Sequence, residues 1–357
     1  MNRNVYIVIP AYNPGKELSE YVLQLINKGF DRILLVDDGS RQECKEIFHV
    51  LAEKTECTVF THAVNMGKGR ALKDAFNYIL ASGFPGGVIT VDSDGQHRAE
   101  DVLRIYQEMQ NYPDSLVLGG RDFDNPTVPF KSRFGNKLTR IVLKLLIGGN
   151  ISDTQTGMRG IPNILLGRWS VLFGERFEYE TMMLIDGIKS GTSMREVKIE
   201  TIYIDDNRET HFNAITDSLA IYRLIFMTFF RYILISLLSF VIDYSLFCLF
   251  IGTQAYGYDR RKIVMATVAA RVCSSLFNYA ANKRVVFKSG NGRRQLPYYY
   301  VLCAIQMACS ALLVTMLGMV LPVQVAKILV DTVLFFMSFQ IQQRIIFRNG
   351  GENGGHI

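Results

Sequence analysis

The chain changes character partway along, and that change limits what it can fold into. Up to about residue 212 charged and apolar residues are mixed as in an ordinary globular domain, whereas from Phe229 onward long apolar runs dominate. Four of these runs, about 229–251, 263–287, 296–321 and 324–347, are each long enough to cross a hydrocarbon core that needs roughly 20 residues. The expected organisation is a first domain over 1–212, an interfacial juxtamembrane helix over 213–228, an all-α four-helix membrane domain over 229–348, and a flexible tail over 349–357. The 49% apolar content of the 357 residues is therefore an average over two solvents.

Charge sets the expected orientation. Between the second and third runs lie Lys283, Arg284, Lys288, Arg293 and Arg294, and the last run ends in Arg344 and Arg348. The positive-inside rule places these ends, and with an even span count both termini, in the cytosol. The basic stretch Asp259-Arg260-Arg261-Lys262 dissents, since it falls on the expected outer side. A net charge of +6, gathered in clusters beside apolar runs, suits an anionic membrane surface better than nucleic acid, for which no signature is visible. None of the six cysteines forms a Cys-x-x-Cys pair, so neither zinc nor a disulfide framework is supported. Val5–Ile9 is too short for a signal peptide and runs into Pro10, so the first domain is expected to stay in the cytosol. Two runs end alike, Asn282-Lys283-Arg284-Val285-Val286-Phe287-Lys288 against Gln342-Gln343-Arg344-Ile345-Ile346-Phe347-Arg348, which suggests a duplicated two-helix unit. Asp243, Arg271, Asn278, Lys327 and Asp331 lie inside the runs, where polar groups face a partner, a polar path or each other.

In the first half strand and helix patterns alternate. Val5–Ile9, Arg32–Val36, Thr58–His62, Val88–Val91 and Ser115–Leu118 read as strands; 16–28, 45–54, 68–80, 100–111 and 130–146 read as helices. Such alternation predicts an α/β fold, a mostly parallel sheet with helices on both faces. Polar residues collect after the strands: Pro10-Ala11-Tyr12-Asn13, Asp37-Asp38-Gly39-Ser40, Asn65-x-Gly67-Lys68-Gly69 and Asp92-Ser93-Asp94-Gly95-Gln96. Open α/β sheets bind ligands at the carboxyl ends of their strands. Two carboxylates one residue apart at such an end can reach a single hard cation, Mg²⁺ or Mn²⁺, or they can form an acidic turn that caps the next helix. The 130–146 segment sets Phe134, Leu138, Ile141, Val142 and Leu145 at helical spacing among Lys131, Arg133, Lys137, Arg140 and Lys144. A helix of that pattern either lies at a membrane surface or packs on the sheet.

Taken in order, these motifs resemble the family 2 glycosyltransferases of the GT-A fold, and within them the polyprenyl-phosphate sugar synthases of the dolichol-phosphate mannose synthase type. The likeness covers about residues 4–212 and continues through Gly119-Gly120-Arg121, Ser132-Arg133-Phe134-Gly135-Asn136-Lys137 and Asp153-Thr154-Gln155-Thr156-Gly157-Met158-Arg159. The resemblance implies that Pro10, Tyr12, Asn13, Asp37, Asp38 and Lys68 help bind a nucleotide-sugar, with Asp38 on the base. It implies that Asp92, Asp94 and Gln96 hold metal and diphosphate, and that Asp94, Arg121, Ser132 and Arg133 carry catalysis. Arg121, Lys131, Ser132, Arg133, Arg208 and His211 are then the acceptor-phosphate ligands. Two departures stand out: Pro14 replaces the usual acidic residue after Tyr-Asn, and the late Arg…Ser-Lys segment reads Asn207-Arg208-Glu209-Thr210-His211-Phe212. The second half resembles the GtrA family of four-span proteins.

The expected activity is inverting, metal-dependent transfer of a sugar from a nucleotide, UDP-glucose or UDP-N-acetylglucosamine favoured, to undecaprenyl phosphate at the cytosolic membrane face, for envelope glycans. A lipid phosphate is already largely ionised at neutral pH, so no strong general base is needed. A processive polysaccharide synthase is the alternative within the enzymes; Arg168-Trp169 is present and Glu178 or Glu180 is a candidate for the general base it needs, but Leu165 stands where its glutamine belongs. A transporter whose first domain only binds lipid-linked sugar is the alternative of another class. Self-association of the membrane domain is a further expectation.

Overall fold

The structure, a computed structural model, describes residues 3–55, 57–121, 130–149, 151–200, 216–251, 260–290 and 295–347. The expected strands form: β1 (Val5–Ala11), β2 (Ile33–Asp37), β3 (Cys57–Thr61), β4 (Gly87–Thr90) and β5 (Leu116–Arg121). Two further strands, β6 (Arg159–Ile161) and β7 (Met194–Ile199), complete one sheet of order β3-β2-β1-β4-β6-β5-β7. Only β6 runs antiparallel to its neighbours, β4 and β5. Side chains alternate along β1: Ile7 and Ile9 enter a core with Leu18, Tyr21, Val22 and Leu25 of helix α1 (Glu17–Asn27), while Val8 joins the opposite core with Ala71, Leu72 and Phe76 of α3 (Lys68–Ala81). Each face of the sheet is thus sealed by helices, the former also by α2 (Gln42–Lys54) and α4 (Ala99–Asn111). The latter is closed by α6 (Asn163–Trp169) and α7 (Glu178–Ser190), whose Trp169 and Tyr179 are fully buried.

Strand order explains where a ligand can enter. From β1 the chain builds outward through β2 and β3, then returns to place β4 on the other side of β1. Connections leave in opposite directions at that point, which opens a crevice beyond the carboxyl ends of β1 and β4. The β1–β4 ladder ends at Val8↔Thr90, so Pro10, which has no N–H to donate, lies beyond it. Because β6 is antiparallel, its first residue Arg159 stands opposite Thr90, the last of β4. The segment 153–157 therefore arrives at the same edge as the polar turns. A strand of three residues carries no strong signal of its own in the sequence.

By backbone contacts the chain divides into two units, 1–224 and 225–357. In the second unit, α8 (Thr216–Ile251) is continuous over the stretch expected as lead-in helix and first span; the division falls inside it. Then follow α9 (Arg260–Ala281), α10 (Gln295–Leu317) and α11 (Val323–Ile341). Both α9 and α11 continue into a π-helical turn, Asn282–Val286 and Gln342–Ile346, at the duplicated motif. Among the described residues three helices are long and apolar enough to cross a membrane: Phe226–Phe250, Gln295–Leu317 and Gln324–Ile346. The expected second span corresponds to α9, whose Arg271, Ser274, Ser275 and Asn278 lower its hydropathy. Residues 252–259, 291–294 and the tail 349–357 lie outside the described residues.

Candidate active site

One wall of the crevice is the turn after β2. Gly39 takes φ +72°, and a Cβ there would sit 2.2 Å from the Val64 carbonyl carbon, so only glycine fits. Asp37 Oδ1 accepts the Ser40 N–H at 2.8 Å, closing the turn. Asn13, at φ +49°, ties the first turn to the second: its N–H donates to Ser40 Oγ at 2.9 Å and its Oδ1 accepts the Arg41 N–H at 2.8 Å. Asp38 is buried, and its oxygens already have partners. Oδ1 accepts the Met66 N–H at 2.8 Å and lies 2.7 Å from His62 Nδ1; Oδ2 accepts the Gly67 N–H at 2.7 Å. Asp38 thus holds the loop before α3 against the sheet, a role the motif alone did not disclose.

That loop delivers Lys68 to the acidic pair. Lys68 Nζ lies 2.6 Å from Asp92 Oδ1 and 2.9 Å from Glu180 Oε2, and 5.9 Å from the Phe177 ring centroid. Burial alone would push the lysine pKa down, but Asp92 and Glu180 outweigh it and hold the pKa above its ordinary value. Burial likewise works to raise the Asp92 pKa. Lys68 and His97, whose Nε2 is 3.3 Å from Asp92 Oδ2, reverse it and hold this carboxyl far below the usual range. Among the described residues no cation is bonded to Asp94, and the pull of His97 and Lys68 on it is outweighed. Burial first, and then the charge of Asp92, push its pKa up. Its Oδ1 accepts the Gln96 N–H at 3.1 Å.

Beneath the pair, Gly157 comes so close that a Cβ would lie 2.3 Å from Asp92 Oδ2. The Thr90 hydroxyl fixes that approach by donating to the Gly157 carbonyl at 2.8 Å. Arg159 is fully buried, donating to the Thr156 carbonyl at 2.9 Å and the Glu180 carbonyl at 2.6 Å. Its pKa is lowered by burial, against the opposing pull of Glu180, Asp153 and Asp92. A buried guanidinium beneath several carboxylates offsets part of their mutual repulsion.

The other wall is built from β5 and the 152–154 turn. Arg121 grips the buried Asp153 with two side-chain bonds, Nε to Oδ2 at 2.6 Å and Nη2 to Oδ1 at 3.1 Å. Helix α5 (Phe130–Leu146) is pinned to the same turn by Asn136. Its Nδ2 donates to the Ser152 carbonyl at 2.9 Å, and its Oδ1 accepts from Thr154 N–H and Oγ1, both at 3.1 Å. Arg133 stands in the first turn of α5, half-buried. The side chains of Lys131 and Ser132 lie outside the described residues, as do Arg208 and His211 entirely.

The structure thus gathers Asp37, Asp38, Lys68, Asp92, Asp94 and Gln96 at one edge of the sheet, with Arg121 at the end of β5, across β6 from β4. The sequence offers Glu180 only as a base for the processive alternative and Asp153 and His97 only as members of the family motifs, and it does not single out Tyr21. The signal for Glu180 could only have been three-dimensional, since 112 positions separate it from Lys68. Tyr21 Oη, His97 Nδ1 and Glu180 Oε1 are buried with no hydrogen-bond partner among the described residues. Burial and the charges of Asp92, Asp94 and Asp101 raise the Tyr21 pKa well above its ordinary value. Among the described residues no three His, Cys, Asp or Glu side chains converge as a closed metal cage. Two hard carboxylates, a neighbouring amide and an uncompensated charge on Asp94 fit a Mg²⁺- or Mn²⁺-type ion that keeps positions for substrate phosphates and water.

Comparison with known proteins follows the same division. Residues 6–167 match the family described as glycosyl transferase family 2, and residues 229–347 match the GtrA/DPMS transmembrane domain. A UDP-N-acetylglucosamine–dolichyl-phosphate N-acetylglucosaminyltransferase of Methanococcus voltae is 29% identical, over 62% of this chain and 95% of that protein. An undecaprenyl-phosphate 4-deoxy-4-formamido-L-arabinose transferase of Edwardsiella ictaluri is 29% identical, over 42% of this chain and 46% of that protein. Among solved structures, mannosyl-3-phosphoglycerate synthase from Rubrobacter xylanophilus is 18% identical with a TM-score of 0.49, over 62% of this chain and 72% of that one.

Proposed function

Because the chain is a membrane glycosyltransferase, with a family 2 domain of GT-A fold over residues 6–167 and a GtrA/DPMS transmembrane domain over 229–347, we propose that it transfers a sugar from a nucleotide-sugar to polyprenyl phosphate. The observation that carries this reading is the Asp92–Asp94 pair at the switch-point crevice, with no cation bonded to Asp94 among the described residues. Relatives named for dolichyl-phosphate and undecaprenyl-phosphate acceptors support the lipid side of the reaction. The donor favoured is UDP-N-acetylglucosamine or UDP-glucose, and the acceptor undecaprenyl phosphate, at the cytosolic face of a four-span membrane protein. The product would serve envelope glycan synthesis.

In this reading Pro10, Tyr12, Asn13, Asp37 and Asp38 form the nucleoside wall, Asp38 acting through the Met66–Gly67 backbone it fixes. Asp92, Asp94 and Gln96 would hold Mg²⁺ or Mn²⁺, which when bound stabilises the charge developing on the departing diphosphate. Lys68 turns from Asp92 toward the diphosphate. Arg121, Ser132, Arg133 and Lys131, with Arg208 and His211, hold the acceptor phosphate beside the anomeric carbon without repulsion between the two anions. One displacement by an acceptor phosphate oxygen forms the new glycosyl bond, breaks the sugar–diphosphate bond and inverts the anomeric centre.

The test is transfer of radiolabel from a panel of UDP- and GDP-sugars to undecaprenyl phosphate in detergent, for the unaltered chain and Asp94→Ala, with Mg²⁺ or EDTA. Label in the lipid phase from one donor, lost in the variant and in EDTA, is expected. No lipid label from any donor, with folded protein, would sink the acceptor assignment.

A further inference from the structure

The duplicated motif extends into the contacts of the whole membrane unit. From Ile263 on, each residue of α9 and its π-turn has a counterpart sixty positions later in α11 and its π-turn. Asn282 and its counterpart Gln342 bond to each other at 3.3 Å, and Phe287 stacks on its counterpart Phe347 with centroids 5.2 Å apart. Several further contacts occur in matched pairs. Tyr279 meets Phe347 at 5.7 Å as Phe339 meets Phe287 at 5.9 Å. Tyr299 meets Tyr279 at 5.5 Å as Tyr232 meets Phe339 at 5.2 Å. Asn278 donates to Ser239 at 2.8 Å as Ser338 donates to Gln306 at 3.2 Å. Self-paired counterparts mark a local two-fold axis, and α8–α9 and α10–α11 are the two halves it relates.

The same register sets Asp243–Arg271 against Ser310–Asp331. Arg271 Nη2 is 3.3 Å from Asp243, and the Ser310 hydroxyl donates to Asp331 at 2.8 Å. Arg271 and Asp331 are therefore equivalent positions of opposite charge, on two flanks of matching shape. Both point outward: the Arg271 side chain is 71% exposed and that of Asp331 48%. Asp243, Ser310 and Asp331 lie four or five residues from the middle of their candidate spans, roughly 6–8 Å at 1.5 Å per residue. Half of a core of about 30 Å is deeper than that. Arg271 cannot escape by reaching for an interface, because its head is held at Asp243. Charged groups at such depth face protein rather than lipid tails.

We infer that copies of this chain associate head to tail within the membrane, Arg271 on α9 of one copy meeting Asp331 on α11 of the next. The local two-fold makes the flanks alike in shape, and the exposed Arg271 guanidinium and Asp331 carboxylate, each paired on one side only by Asp243 and by Lys327, are complementary groups across the contact. Since α9 and α11 run in the same direction, the two residues meet at equal depth. Asp331 also accepts from Lys327 at 2.9 Å, and a carboxylate has room for a further donor.

The test uses the full-length chain with its six cysteines replaced by serine, co-expressed as two tagged versions in native membranes. One carries Val268→Cys and the other Ile328→Cys, counterparts three residues before Arg271 and Asp331, and a short bismaleimide is added. Cross-linking between the two versions, and not within either version alone, is expected. Adding Arg271→Gln or Asp331→Asn should lower its yield about five- to thirtyfold, the range of an interhelical polar contact in a membrane. Same-residue cross-links, no cross-link, or a yield indifferent to Arg271→Gln would overturn the inference. So, independently of any cysteine, would a single-copy mass for the unaltered chain in native-lipid nanodiscs.

Discussion

Replacing Gly157 by alanine should disarm the site while leaving the fold intact. Nothing in the backbone conformation at 157 demands glycine; the demand comes from the Asp92 carboxylate, whose Oδ2, Oδ1 and Cγ would lie 2.3, 2.5 and 2.6 Å from the new methyl. Real contacts of this kind do not fall below 3.0 Å, so the carboxylate must retreat by roughly 1 Å. It cannot do so freely, because Lys68 and His97 hold its two oxygens. A misplacement of about 1 Å at a reacting centre costs up to about a hundredfold in rate, near 2.7 kcal/mol. The assay is kcat/KM for lipid-phase label, with thermal unfolding run in parallel on EDTA-treated protein. A loss near a hundredfold with Tm lowered by only a few degrees is expected. Activity within threefold of the unaltered chain would refute the claim that the Gly157 approach positions Asp92.

Four further outcomes follow from the same geometry. Asp94 has a raised folded pKa, so its contribution to stability is full below the ordinary carboxylate value of 3.8 and is lost as pH rises through the folded value; Asp94→Asn should therefore raise the neutral-pH Tm in EDTA, with the gain vanishing toward pH 4, and no gain would contradict the charge argument. Titrating Mn²⁺ to about a hundred times its Kd should stabilise the unaltered chain by about 2.7 kcal/mol and leave Asp94→Asn unmoved, as read by thermal melts. Lys68→Met strands two partly buried carboxylates, and chemical denaturation should report a loss of about 3–5 kcal/mol, the range for breaking a buried pair; Lys68→Met with Glu180→Gln should recover part of it. In the membrane unit Asn278 serves Ser239, Tyr299 and Asn282, so Asn278→Leu should lower stability in detergent by about 1–2 kcal/mol, and an unchanged melt would remove its structural role.

Much of this was legible in the sequence because strand composition and turn chemistry are local. β1 to β5 appear where apolar β-branched runs end in polar turns, and the acidic pair stands at the end of β4 as such turns require. What escaped detection depends on distant pairing. β6 is three residues long and is held in the sheet by its neighbours, not by its own propensity. Asp38 was expected to face a ligand, yet three groups from a loop more than twenty positions away occupy its oxygens. Arg121 is expected among the acceptor-phosphate ligands, and its buried partner Asp153 emerges only once β6 brings the 153–157 segment to the edge. The apolar runs were plain, but the weakness of α9 as a span reflects polar side chains that find partners on neighbouring helices.

The Lys68 clasp has a thermodynamic consequence for how ligands arrive. Lys68 neutralises Asp92 before anything is bound, so a donor diphosphate that draws the ammonium away leaves Asp92 short of positive charge. Asp92 and Asp94 would hold a divalent cation, which when bound would supply that charge and leave Lys68 for the diphosphate. Each event lowers the cost of the other, and linkage requires the two effects to be equal: whatever factor the donor takes off the cation's Kd, the cation takes off the donor's. Asp92 is then balanced by Lys68 in the ligand-free protein while Asp94 is not, and donor and cation would bind as a cooperative pair.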